Sequence, residues 1–89
     1  MKKEVSNMNL LKLTEEIVLS LVENKDMVAV KEFETDEENT VLFQVLISEE
    51  DMPRVIGKGG KVISSIRTLV QASSYTNDNK KVRINVDSI

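Results

Sequence analysis

The chain has 89 residues, with 12 Lys and Arg against 15 Asp and Glu, and neither cysteine nor histidine. That length holds one small domain with one core, and the missing residue types exclude disulfides, thiol chemistry and the usual zinc ligand sets. No apolar run approaches the roughly 20 residues needed to cross a bilayer, and residues 1–9 lack the apolar core of a signal peptide, so a cytoplasmic protein with no membrane partner is expected.

Residues 1–9 read as a flexible N-terminus and 10–87 as the domain. From Leu10, apolar side chains recur at Leu13, Ile17, Val18, Leu21 and Val22, with Leu11 beside them. This is the spacing of an amphipathic helix, capped by Asn7 or Asn9 and ended by Asn24, Lys25 and Asp26. Residues 27–34 read as a strand whose inward face the pattern does not decide: Val28 and Val30 share one side, Met27, Ala29 and Phe33 the other. After an acidic link at 35–39 comes a second strand, 40–47. It is apolar on both faces, as a central or doubly covered strand would be. The pair makes a hairpin.

Ser48 is a helix cap, with Asp51 at the capping-box position and acids in the first turn to suit the dipole. Pro53 must then lie in that first turn, and Gly57 breaks the helix after one or two turns. A further helix runs from about Gly60 to Tyr75, with Val62, Ile63, Ile66, Leu69, Val70 and Ser73 as its stripe. Residues 80–86 alternate as a strand, Val82, Ile84 and Val86 inward, Lys81, Arg83 and Asn85 outward. Three helices and three strands in this order give a two-layer α+β domain, α-β-β-α-α-β, with helices covering one face of a three-stranded sheet.

Charge is divided along the chain. Residues 1–50 hold five basic and twelve acidic side chains, and residues 51–89 hold seven basic and three acidic. Asp78 is the only acid between Arg54 and Arg83. A domain with this division can turn one basic face to a polyanion despite a net charge of -3.

All three glycines fall within 57–60, between two helices. A turn that sharp needs the conformations glycine allows. A helix starting at Gly60 aims unpaired N–H groups into the turn, where phosphate oxygens fit. Lys58 projects from the tip, and Arg54, Lys61 and Arg67 are near in sequence. A Walker loop is excluded, since Lys61 is followed by Val62 and the turn follows a helix; the Gly-x-Gly-x-x-Gly fingerprint is also absent.

The stretch Val55-Ile56-Gly57-Lys58-Gly59-Gly60-Lys61-Val62-Ile63, with Ile66-Arg67, resembles the signature of the KH domain. That domain grips single-stranded nucleic acid with a Gly-x-x-Gly loop. With Asp51-Met52-Pro53 before it, the chain is similar over about residues 10–87 to small bacterial single-KH RNA-binding proteins of the type II arrangement. The resemblance implies a groove holding about four nucleotides. Gly57, Lys58, Gly59 and Gly60 would hold phosphates, Arg54 and Lys61 would add charge, and Ile56, Ile63 and Arg67 would form part of the wall. It further implies a non-catalytic post-transcriptional regulator or RNA chaperone tied to cell elongation, cell shape and cell-wall biogenesis. Such a protein would form a homodimer and associate with a larger KH-containing protein.

Two side readings stay open. Lys81 and Arg83 either extend a positive track or keep a sheet edge soluble; Tyr75 either packs at a helix end or stacks. With only Phe33, Phe43 and Tyr75 as aromatics, base stacking on a sheet is disfavoured. The alternative function is a protein-interaction module with a KH shape. An enzyme is not expected: a capped helix start explains Glu49, Glu50 and Asp51, no nucleophile–base pair is present, and no cofactor or metal is implied.

Overall fold

The computed structural model describes residues 2–77 and 79–89, with side chains described for 10–76 and 79–89. The chain runs through α1 (Lys2–Leu21), β1 (Ala29–Glu34), β2 (Thr40–Ile47), α2 (Met52–Ile56), α3 (Lys61–Asn77) and β3 (Lys81–Ser88). Short 3-10 turns stand at Lys25–Met27, Glu49–Asp51 and Lys58–Gly60. This is the expected α+β order of a type II KH fold.

The sheet order is β1-β2-β3. β1 and β2 pair antiparallel, with Phe33 opposite Leu42, and β2 and β3 pair parallel, with Val41 opposite Val82. A parallel pair needs a long crossover, which here is the α2–α3 unit. β2 is central, and that accounts for its two apolar faces. Phe43, Val45 and Ile47 are buried under the helices with Val82 and Ile84, while Leu42 and Leu46 are half-buried on the uncovered face. For β1 the register puts Val30 on the helix face and Ala29 and Phe33 on the open one.

Helix periodicity locates α1 and α3 but misplaces some of their core. The backbone helix of α1 begins at Lys2, so Asn7 and Asn9 lie inside it and not at its start. Met1, Asp78 and the side chains of residues 2–9 and 77 lie outside the described residues. Leu10, Val18 and Val22 are buried as expected, and Thr14 joins them fully buried. A lone hydroxyl is tolerated there because its Oγ1 donates to the Leu10 carbonyl at 2.9 Å. In α3 the buried line is Ile63, Ile66, Val70 and Ser74. Leu69 lies at the stripe's edge and is 51% exposed, so counting it as core is corrected. Ser74 takes the inward place expected of Ser73, because its Oγ closes on the Lys80 carbonyl at 2.7 Å.

Candidate nucleic-acid interface

α2 stops because of Gly57. Its φ of 78° and ψ of 170° lie in a region that only glycine enters readily. Its amide still closes the helix on the Pro53 carbonyl at 2.9 Å, and its own carbonyl accepts from the Gly60 amide at 3.1 Å. Gly59 is left-handed, with φ 63° and ψ 20°, and Gly60 has φ 78°. The three glycines differ in surroundings. A Cβ on Gly57 would lie 2.8 Å from both the Cβ and the backbone nitrogen of Val62, whereas Gly59 and Gly60 face open space.

The result is a tight turn delivering the chain into the 17-residue α3. The amides of Lys58 and Gly59 have no backbone partner among the described residues. They sit one turn before α3, where its dipole is positive. Lys58 and Lys61 are exposed, and neither forms an ion pair among the described residues. Loop, amides, dipole and two unspent cations therefore share one corner.

The remaining residues expected at the site are placed differently. Arg54 is held at its guanidinium: Nη1 donates to Asp51 Oδ1 at 3.1 Å and Nη2 meets Glu23 Oε2 at 3.2 Å. Its charge is already matched, so it differs from Lys58 and Lys61. Ile63 is 6% exposed and packs with Val55, Ile66 and Val70, so it supports the loop from the core and offers no wall surface. Ile56 is half-buried against the same core.

Arg67 is exposed but tethered, with Nε and Nη2 both donating to the Ile84 carbonyl at 3.2 and 2.9 Å. One turn on, Gln71 Nε2 donates to the Lys80 carbonyl at 2.8 Å and Gln71 Oε1 accepts the Val82 amide at 2.9 Å. Two α3 side chains thus satisfy the free edge of β3 in place of a further strand. Along this seam runs an open groove of about 470 Å³ lined by Arg67, Thr68, Gln71, Ala72, Tyr75 and Val82. The sequence reading missed Thr68, Gln71, Ala72 and Val82. Only the i, i+4 repeat of polar side chains at Arg67 and Gln71 hinted at an edge-facing row. Tyr75 is 59% exposed at this groove, so it does not pack away at the helix end. Lys81 and Arg83 project from the sheet face opposite the helices, and Arg83 is bound by both Glu37 oxygens at 2.9 and 3.0 Å. They add no track to the loop.

Asp51 is the other unexpected feature. Ser48 makes no cap bond through its side chain; its Oγ donates to Asp51 Oδ2 at 2.9 Å. The fully buried carboxylate also accepts the amides of Glu23 and Asn24, each at 3.0 Å, and Asn24 Nδ2 at 3.1 Å. The Glu23 amide leads the groups that hold its carboxyl well below the usual carboxylate range, against burial, which pushes it up. No cluster of metal-ligating side chains and no helix long and apolar enough to cross a membrane occur among the described residues.

Comparison with known proteins agrees with this geometry. The chain is 42% identical over 76 residues to the RNA-binding protein KhpA of Listeria monocytogenes, covering 81% of this chain and 96% of that one. It is 36% identical over 74 residues to the RNA-binding protein KhpA of Thermotoga maritima, covering 83% and 93%. In fold it resembles a crystal structure of Aquifex aeolicus Era bound to GDP and aluminium fluoride, with a TM-score of 0.64 at 19% identity. That match covers 89% of this chain and 29% of the Era chain. The family model described as the KhpA/KhpB KH domain matches residues 12–86, which takes in β1, β2, most of β3 and the Gly57–Gly60 turn. This chain therefore belongs to the KhpA/KhpB KH-domain family.

Proposed function

We propose that the chain binds single-stranded RNA without catalysing a reaction on it. The observation that carries this is the corner at 57–60, where unpaired amides, the positive end of α3 and the unmatched cations Lys58 and Lys61 converge. The naming of its relatives as RNA-binding proteins supports the same reading. Gly57, Lys58, Gly59, Gly60 and Lys61 hold the phosphates. The groove of Arg67, Gln71, Tyr75 and Val82 takes the bases, and half-buried Ile56 is a further apolar contact for them. Arg54 contributes through the field and through its hold on α2.

The test is a fluorescence titration of labelled single-stranded RNA against wild type and Lys58→Glu. Gly59 is a poor place for the added acid, because its left-handed backbone strains any side chain. Binding by the variant equal to that of wild type would sink the phosphate role of the loop.

The wider role follows the family resemblance: a cytoplasmic post-transcriptional regulator or RNA chaperone acting in cell elongation and cell-wall biogenesis, as a homodimer and with a larger KH-containing partner. Leu69, exposed among Ser65, Thr68 and Ala72 on α3, supplies an apolar surface for a second copy beside the RNA groove. Light scattering of Leu69→Glu tests that placement, a monomer being the expected result.

A protein-interaction module with no RNA affinity is the second reading, favoured by the overall charge of -3 and the same exposed Leu69. The titration above separates the two.

A further inference from the structure

α2 has five residues, too few to hold a helix through its own hydrogen bonds. Its position must come from tertiary contacts, and so must the position of the turn that follows it. Val55 provides one, being fully buried. Met52 and Ile56 pack half-buried against the same core, so apolar contact holds this side of the helix.

The second anchor is Asp51, immediately before α2. Its Oδ1 accepts the Glu23 amide and Arg54 Nη1; its Oδ2 accepts the Asn24 amide, Asn24 Nδ2 and the Ser48 hydroxyl. These five donors come from three places: the chain just past α1, the residue after β2, and α2 itself. We propose that Asp51 is the positioning residue of the glycine loop, gathering these three segments onto one carboxylate and so setting where α2 ends and where the Lys58 and Gly59 amides point. Asp51 is wholly buried, out of reach of anything bound at the surface; it acts through Arg54 and the pitch of α2. A buried carboxylate with a backbone amide on each oxygen has no neutral substitute of equal fit, because an amide in its place turns its N–H group toward the N–H of Glu23 or of Asn24.

The binding part of this inference rests on the RNA-binding reading above; the structural part does not. The test is Asp51→Asn, studied at a temperature where circular dichroism shows it fully folded. Amide shifts are compared at Lys58, Gly59, Gly60 and Lys61 and along β1 and β2. Affinity is read with a single-stranded RNA about twice the roughly four nucleotides such a loop spans. The expected result is loop amides that move while sheet amides stay, with affinity falling about tenfold and no fall in the salt slope, since no phosphate contact is removed. Wild-type loop shifts and wild-type affinity in a variant that merely melts earlier would overturn the proposal. If Asp51→Asn does not fold, Ser48→Ala and Asn24→Ala each remove donors and keep the carboxylate. Both should move the same loop amides to a smaller extent, and unmoved amides overturn it. Absence of RNA binding by wild type would defeat the RNA reading alone, with the amide shifts still deciding the role of Asp51.

Discussion

Gly57 and Val62 are packed so closely that no side chain fits between them: a Cβ on Gly57 would lie 2.8 Å from Val62 Cβ. The turn is therefore a close approach of two backbones as well as a change of direction. Gly57→Ala meets both the clash and a backbone region essentially closed to alanine, and should cost more than about 3 kcal/mol. Gly59→Ala meets only the left-handed penalty, about 1–2 kcal/mol, because the space beyond it is empty. Urea unfolding of the two variants checks this; equal midpoints would refute the distinction.

Lys58 and Lys61 are the cations of the corner without an acidic partner among the described residues, and they are exposed. Their removal should change binding and leave folding alone. Each Lys→Ala variant should keep the wild-type melting temperature and lower the slope of log affinity against log salt by about 0.7, the value for one phosphate contact on a single strand. Arg54→Ala should do the reverse. It breaks the contacts with Glu23 and Asp51, lowers stability, and leaves the salt slope nearly unchanged. A slope drop at Arg54 as large as that at Lys58 would place its guanidinium on phosphate.

Much of this could be read from the chain before any coordinates. Alternation at Val82, Ile84 and Val86 and the two-faced pattern of Thr40–Ile47 place the third strand and the central one. Pro53 and Gly57 bracket α2 from both ends. What escaped the sequence are relations between distant residues. Asp51 lies three residues from Ser48 and reads as its capping partner, yet its carboxylate closes on amides 27 and 28 residues earlier. Arg67 reads as part of a groove wall and Gln71 has no assigned role, and only the proximity of the β3 edge gives both their partners. Leu69 reads as core because periodicity cannot say where a stripe's border falls, and it is exposed.

Arg67 presents two donors to one carbonyl oxygen of Ile84, at the end of the groove nearest the middle of β3. A planar fork does this; an ammonium cannot reproduce it. Arg67→Lys should therefore behave much like Arg67→Met, each losing about 1–2 kcal/mol of stability. Both should weaken RNA binding and leave the salt slope nearly unchanged, since the groove at Arg67 takes bases. Recovery of full stability by lysine would show that charge alone matters at this position.

Asp51 also governs how the fold responds to acid. Its carboxyl has an ordinary value of 3.8, the value expected in the unfolded chain, and the native state holds it well below that. A group whose folded value is depressed gives stability that is complete above its unfolded value and is lost as pH falls toward its folded one. Native stability should thus be flat with respect to this group from neutral pH down to about 4–5, then decline steadily as the solution becomes more acidic. Asp51→Asn removes the titrating group and should flatten the acid limb while lowering stability at neutral pH. Denaturant midpoints at pH 7 and across the acid range test both halves together. A variant with the wild-type acid slope would assign that slope to surface carboxylates, and one as stable as wild type at pH 7 would show that the five donors are satisfied without the charge.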